Sequence, residues 1–416
     1  MTGILEFLGG CLRLVRRGNR AYFAWLTVLG LAIAVGLVAY AHQFRTGLIA
    51  TNMRDQVSWG FYVGNFTFLV GVAAAAVLLV IPAYVYDWKP IKEVVILGEL
   101  LAISAITMCL LFILVDMGHP DRFLHIVPFI GSPNWPRSML SWDALVLNGY
   151  LALNLIVVIH ILYRGYHGQH YNKSLIVPLV LISIPAAVSI HTVTAFLYNG
   201  MAARPFWNAS ILAPRFIASA FCSGPAVMII LFQVLRRTAG IDIKDEAIFK
   251  VAELMSYAMF LNLFLLGSEV FKEYYSRTEH LLYTEYLWNG IDEHKALVPF
   301  AWLALTCSVV AFLLFLVPRT RKNFVTLNLG CVLIWAGVYI EKGMGLVIPG
   351  MTPDTLGEIY EYRPTATEWA IAVGVFGVGF LVFTILVKVA VPIMTGTFQA
   401  RDPSHGPSMT TPAVVP

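Results

Sequence analysis

The chain has 416 residues, 58% of them hydrophobic and only 12% charged, with a mean hydropathy of +0.75 and a formal net charge of +4. Soluble domains carry about 25% charged residues, so this composition excludes a soluble enzyme or a nucleic-acid-binding module and predicts an integral membrane protein. Five cysteines, Cys11, Cys109, Cys222, Cys307 and Cys331, show no clustered spacing, and the last four fall in apolar runs; they spell no disulfide, zinc or iron–sulfur pattern and read as packing residues.

Arg13, Arg16, Arg17 and Arg20 precede an uncharged run from Ala21 to Ala41. That run exceeds the 7 to 15 residues of a signal-peptide core and is long enough to cross about 30 Å of hydrocarbon at 1.5 Å per residue, so it is span one. Nine more spans are predicted at 57–84, 93–115, 142–163, 174–198, 214–235, 248–272, 296–317, 323–343 and 367–388. With residue 1 in the cytoplasm, 17 of the 28 Lys and Arg but only 9 of the 24 Asp and Glu fall on the cytoplasmic side, as the positive-inside rule requires. Both termini are then cytoplasmic, in a cytoplasmic (inner) membrane. The outer loops, notably 116–141, 199–213, 273–295 and 344–366, are long and aromatic, whereas inner turns such as Arg319-Thr320-Arg321-Lys322 are short and basic. Function and partners are expected on the outer face.

Spans two to five start at 57, 93, 142 and 174, and spans six to nine at 214, 248, 296 and 323. The offset is nearly constant, and Gly98-Glu99-Leu100 lines up with Ala252-Glu253-Leu254. The expected fold is all-α and polytopic: about ten transmembrane helices, two four-helix bundles in parallel repeat and two peripheral helices. The chain divides as 1–56 (N-terminal segment and peripheral helix), 57–198 (first bundle), 199–343 (second bundle with its connecting loop) and 344–416 (outer loop, last helix and cytoplasmic tail). Side-chain identity between the halves is otherwise low, which leaves even spacing by chance as the alternative.

In span three Glu99 lies inside an apolar run, where an ionised carboxylate costs several kcal/mol unless it is paired, protonated or wet. Glu253 is its repeat mate. Both suit proton conduction, or a hydrogen bond or ion pair with Lys92 or Lys250 near the cytoplasmic rim. At the outer interface Asp116 and Arg122 flank a Gly-x-Pro turn, and Ser138-Met139-Leu140-Ser141-Trp142-Asp143 brings a second carboxylate to the same level. In span two Trp59, Tyr62, Asn65 and Phe66 recur three and four apart on one helical face. An aromatic belt accounts for the rings but not for Asn65, which lies deeper.

Span five runs through Ser189-Ile190-His191-Thr192-Val193-Thr194-Ala195-Phe196-Leu197-Tyr198 into Arg204-Pro205-Phe206-Trp207. His191 is two turns below Tyr198; it faces a ligand or bonds a neighbouring helix. Bis-histidine haem lacks a second histidine at equal depth, since His160 lies near the opposite end. Glu269, Lys272 and Glu273 end span seven, and Glu341 and Lys342 end span nine. Pairing or snorkelling at the rim is their default, with Glu269 a further candidate proton group.

These residues resemble the NrfD/PsrC family of quinone-interacting membrane subunits. The resemblance rests on the ten spans, Asp116-x-Gly-x-Pro, Ser138 to Trp142, Tyr198-Asn199-Gly200 and Ala203 to Asn208, and it covers essentially the whole chain. Met53 to Tyr62 and Ser189 to Phe196 look most like the branch in the membrane complex of dissimilatory sulfite reductase, the DsrP subunits. The resemblance implies a quinone, menaquinone by preference, near the outer face beneath a periplasmic iron–sulfur subunit. It also implies further membrane, cytochrome and cytoplasmic subunits, and no haem or cluster in this chain. Family members usually carry arginine where this chain has His119, which leaves Arg122 as the nearest permanent cation of that turn.

On this reading the protein binds the quinone and handles its protons while the partner handles the electrons. His191 and Asp116 exchange protons or hydrogen bonds with the carbonyls, Tyr62 and Asn65 orient the ring, and Trp59 covers it. Asp143, Thr194 and Tyr198 complete the site. Glu99, Glu253 and Glu269 form the proton pathway. The competing classes are an ion-coupled transporter, which calls for helices broken at matching positions of both halves, and a passive anchor, which leaves His191 and Glu99 without a role.

Overall fold

A computed structural model describes residues 2–86, 88–92 and 94–400. Ten of its helices are long and apolar enough to cross a membrane: Arg20–Thr46, Phe61–Tyr84, Val95–Asp116, Met139–Tyr166, Lys173–Asn199, Leu212–Thr238, Asp245–Ser276, Val298–Leu316, Phe324–Met351 and Ala366–Met394. They are numbered here as spans one to ten. The tail 401–416, grouped above with the last segment, lies outside the described residues.

Local chemistry sets the helix starts. Asn19, Ser138, Asn172 and Asn323 each accept a backbone N–H of the first turn of spans one, four, five and nine, supplying an acceptor the first turn lacks. Thr365 and Glu368 form a reciprocal capping box at span ten. Span two starts at Phe61 and not at 57: Arg54 N–H bonds the Val57 carbonyl in a turn, and Gly60 has no capping side chain. The Tyr362 hydroxyl takes its place, accepting Phe61 N–H at 3.0 Å. At the other end of span two Pro82 interrupts the regular ladder, and Ile81–Val85 widens into a π turn. Span nine bends at Gly343 (φ −83°, ψ −113°) and resumes as Met344–Met351.

Packing follows the repeat. Spans two and three, three and four, four and five, and five and two are neighbours; six and seven, seven and eight, eight and nine, and nine and six repeat that ring. The rings meet through spans two and six, flanked by contacts of five with six and nine with two, so exchanging the halves preserves the pattern. Spans one and ten pair with each other, and span ten packs on span three. Spans one and ten cross where Gly36 faces Gly374: a Cβ on Gly36 would fall 2.5 Å from the Gly374 Cα, so only glycine permits this approach. The most apolar stretch of span two is 83% buried and that of span three 78%, against 11% for span one, which makes two and three the interior and one a wall. One end of the bundle carries the segments 47–60, 117–138, 200–211, 277–297 and 352–365, and is called the long-loop end below. The other carries the short turns and the N-terminal helix Thr2–Val15, whose Phe7 packs on Tyr163 and Tyr166.

Candidate functional site: a buried polar layer under an aromatic cap

Every residue from Phe61 to Ala74 is buried, so each polar side chain of span two needs a protein or ligand partner. The Tyr62 hydroxyl donates to Gln43 Oε1 at 2.7 Å, and Gln43 Nε2 donates to the Val115 carbonyl at 2.7 Å, tying spans one, two and three together. Asn65 Nδ2 donates to the Phe61 carbonyl, and Asn65 Oδ1 accepts from the Tyr339 hydroxyl of span nine at 2.9 Å. The Thr67 and Tyr198 hydroxyls bond each other. Thr194 Oγ1 lies 2.7 Å from Asp143 Oδ1, joining spans four and five.

Above this layer Trp59, Tyr198 and Trp207 form an aromatic cap, with ring centroids 5.0 to 5.6 Å apart. The segment after Tyr198 clamps the halves: Trp207 Nε1 donates to the Leu346 carbonyl and Arg204 to the Met351 carbonyl, each at 2.9 Å. Trp207 lies so close over Gly350 that any side chain there would collide with the indole.

Four predicted residues keep a buried polar atom with no hydrogen-bond partner among the described residues: Asp116 Oδ1, Asp143 Oδ2, His191 Nε2 and Glu99 Oε2. An unsatisfied buried polar atom costs about 1–3 kcal/mol, a penalty that a proton, a water or a ligand removes. His191 Nδ1 lies 3.3 Å from the Ala187 carbonyl. Its ring faces a recess of about 10 Å³ among Ala74, Val77, Ala220 and Phe221 of spans two and six, room for about one water and not for a ring. Glu99 borders a similar recess of about 10 Å³ inside the first ring, beside Tyr150 and Asn154.

A cavity of about 530 Å³ opens at the long-loop end between spans two, eight, nine and ten. Phe61, Asn65, Phe300, Tyr339, Arg363 and Trp369 are in its wall, and Phe300 and Trp369 are more than half exposed, so it opens laterally. Its size is that of a small-molecule site. Tyr362 also lines it and donates to Glu368; burial first, and then the Glu368 carboxylate, hold this phenol far above its usual range. Of the eight residues predicted for the quinone, Asn65 alone lines this cavity. Asp143, Thr194 and Tyr198 bond within the first ring and Trp59 belongs to its cap, whereas Tyr62 turns to span one, His191 faces the recess against span six, and Asp116 ends span three.

Two sequence expectations change. Glu253 is not the buried counterpart of Glu99: its side chain is 31% exposed and lies 3.2 Å from both Lys250 Nζ and the Tyr257 hydroxyl. The repeat aligns the two positions, but span seven is only 28% buried where span three is 78%. Conversely, the charges read as rim anchors in spans seven and nine include a buried group. Arg215 of span six, which sequence reasoning passed over, pairs with Glu269 and with Glu341 Oε1. Lys342 Nζ lies 3.8 Å from Glu341 and 4.8 Å above the Phe216 ring; Lys272 bonds Glu273 at 2.7 Å. At the Asp116 turn, His119 and Arg122 are exposed, and His119 lies 3.7 Å from Asp121, away from the polar layer.

Gln43, Tyr339 and Arg215 are the residues of this candidate site that the sequence left unnamed. Each is a polar residue near the end of an apolar run, the one signal that could have flagged it. Among the described residues, no group of three or more His, Cys, Asp or Glu is placed to hold a metal ion.

The fold and the buried layer define a polytopic helical membrane protein built of two repeated four-helix rings with polar groups concentrated at one end. Residues 49–353 match the family described as "Polysulphide reductase, NrfD", and the chain belongs to that family. It is 28% identical over 392 residues to a putative membrane subunit of dimethyl sulfoxide reductase from Halobacterium salinarum, covering 86% of this chain and 88% of that one. It is 24% identical to a selenate reductase subunit of Mesobacillus selenatarsenatis, over 92% of this chain and 96% of the relative. Identity is 22% to an Hdr-like menaquinol oxidoreductase integral membrane subunit of Archaeoglobus fulgidus, over 88% and 92% respectively. All three relatives are named as subunits of reductases or oxidoreductases, two of them as membrane subunits.

Proposed function

We propose that this chain is the quinone-binding membrane subunit of a respiratory redox complex, exchanging electrons between the menaquinone pool and an iron–sulfur partner docked on the long-loop end. The observation that carries the reading is the laterally open apolar cavity of about 530 Å³ with the Asn65–Tyr339 pair in its wall. A quinone accepts hydrogen bonds at its carbonyls and a quinol donates them; an Asn amide offers both donor and acceptor, and a phenol likewise. The lateral opening between Phe300 and Trp369 suits an isoprenoid tail in the bilayer.

Such a ligand supplies two-electron chemistry coupled to two protons, and the chain's own residues then bind, orient and manage protons. Asn65 and Tyr339 hold the ring. Tyr62, one turn from Asn65, Asp116, Asp143 with Thr194, Tyr198 and His191 form the proton-holding layer, capped by Trp59. Glu99 extends that layer toward the short-loop end. Glu253, partly exposed and paired with Lys250, has no place in this path.

The loop 120–138 supports the partner assignment. Phe123, Leu124, Val127, Phe129, Ile130 and Trp135 are all exposed there, beyond the end of span three, and a run of exposed apolar side chains outside the spans suits a protein interface. The charge asymmetry of the loops favours placing this end on the periplasmic side of the cytoplasmic membrane, with both termini cytoplasmic. The resemblance of Met53 to Tyr62 and Ser189 to Phe196 to the sulfite-reductase branch favours a complex of dissimilatory sulfur metabolism. A carrier is disfavoured by a specific observation: span nine is broken at Gly343, whereas its repeat mate, span five, runs unbroken from Lys173 to Asn199.

Asn65→Leu tests the reading, because it keeps volume and removes both hydrogen-bonding groups. In the assembled complex it should weaken binding of a quinone analogue by about ten- to a hundredfold, the equivalent of about 1–3 kcal/mol. Analogue binding at wild-type affinity in a fully assembled variant would overturn this placement.

A further inference from the structure

The second ring contains a smaller cavity, of about 50 Å³, lined by Arg215, Glu269, Glu273, His280, Thr284 and Glu341. A water requires about 10–15 Å³ measured this way, so the cavity has room for a few waters and little else. Among the described residues, two that line it have a buried polar atom without a hydrogen-bond partner, Arg215 Nε and Glu273 Oε2, and Lys342 Nζ and Asn262 Oδ1 close by are in the same condition. Three carboxylates, Glu269, Glu273 and Glu341, stand against Arg215, Lys342 and Lys272, so the site has no surplus charge to attract a permanent ion. Water and exchangeable protons are what fit it.

This polar cavity and the Asn65–Tyr339 cavity share a wall made by Leu287, Ala301, Ile340 and Gly345. Two of those four residues have nothing beyond Cβ. Span nine presents Tyr339 to one cavity and Glu341 to the other. At the far side His280 Nδ1 lies 3.8 Å from Glu273 Oε1, with its side chain 21% exposed in the helix His280–Trp288 of the long-loop end.

We infer that the charged cluster of the second ring is the proton route between the Asn65–Tyr339 cavity and the long-loop end, running from Glu341 through Glu269 and Glu273 to His280. The inference rests on the quinone reading of the larger cavity. Arg215 holds Glu269 and Glu341 to the same water space by bonding both, and Lys272 and Lys342 offset the remaining charge. Asn262 and Cys222 face Glu341 from spans seven and six. Only O–H and N–H bonds are made and broken along the route: each carboxylate gains a proton from one neighbour and yields one to the next, and the electrons leave by the iron–sulfur partner. His280 is the exchange point with bulk water.

Glu273→Gln and His280→Gln in the purified complex test this, since neither residue touches the larger cavity. Quinone-analogue affinity should stay within about twofold of wild type, while quinol turnover falls roughly tenfold or more, as for loss of a proton-transfer group. Glu273→Asp should recover part of the rate, and added imidazole should rescue His280→Gln, a response that a packing role would not produce. If Glu273→Gln fails to assemble, the partly exposed His280 and its rescue carry the test. Wild-type turnover and pH profile in both variants, with analogue binding intact, would overturn the route while leaving the quinone site standing. Unchanged analogue binding in Asn65→Leu would instead remove the quinone site and the route with it.

Discussion

In the first ring Asp143 is buried and accepts the Thr194 hydroxyl, Asp116 is half-buried at the end of span three, each keeps one oxygen without a hydrogen-bond partner, and among the described residues neither forms an ion pair. At the corresponding end of the second ring, Arg215 joins Glu269 and Glu341, and Lys342 lies beside them. The same helix pattern thus carries carboxylates in two electrostatic settings. Where a hydroxyl is the acid's neighbour, as Thr194 is for Asp143, its unmet hydrogen bond is open to a proton or a ligand; where guanidinium and ammonium groups surround the acids, their charge is compensated and depends on the shared cation. Repetition of the scaffold therefore does not repeat the chemistry.

The sharpest way to break this contrast is Arg215→Met. It strands Glu269 and Glu341 without their shared cation, and removing one partner of a buried ion network costs about 3–5 kcal/mol. We expect loss of assembly or a large drop in thermal stability of the detergent-purified complex; a fully stable variant would show that the cluster is not charge-compensated in the way described. Asp143→Asn, by contrast, keeps the Thr194 contact and should assemble. It and His191→Phe should each lower quinol turnover about tenfold, equivalent to about 1.4 kcal/mol. Rates at the wild-type level would return both residues to helix packing.

Smaller effects sharpen the comparison of the two repeat-related glutamates. Glu99→Gln retains size and hydrogen bonding but cannot ionise, so turnover should fall several-fold with a changed pH profile and intact assembly, measured as quinol oxidation across pH. Glu253→Gln removes only a partly exposed i, i+3 pair, worth about 0.2–0.5 kcal/mol; thermal unfolding and turnover should both match wild type within error. A strong Glu253 phenotype would reverse the assignment of these two residues. Reporter fusions at Lys244 and Arg321 should report the cytoplasmic side, and those at Arg204 and His280 the opposite one; matching signals at 280 and 321 would remove the proposed sidedness.

Sequence alone determined the class of this protein, its ten spans and the spacing of the repeat, because all three follow from one local quantity, the run length of apolar residues against the thickness of a bilayer. It also selected Asn65, Asp143, Thr194 and His191, polar residues whose cost inside an apolar run is visible without a fold. Tertiary structure decided which helix face each residue presents, and that separated Glu99, buried between helices, from Glu253, turned to the rim. It decided too that Tyr62 bonds Gln43 across to span one and Asn65 bonds Tyr339 across 274 positions of chain. Arg215, Glu269, Glu273 and Glu341 become one cluster only when spans six, seven and nine close on one another. Span ends are legible from hydropathy, but helix rotation and neighbour choice depend on packing between segments far apart in sequence, and a buried charge shows its partner only once those segments meet.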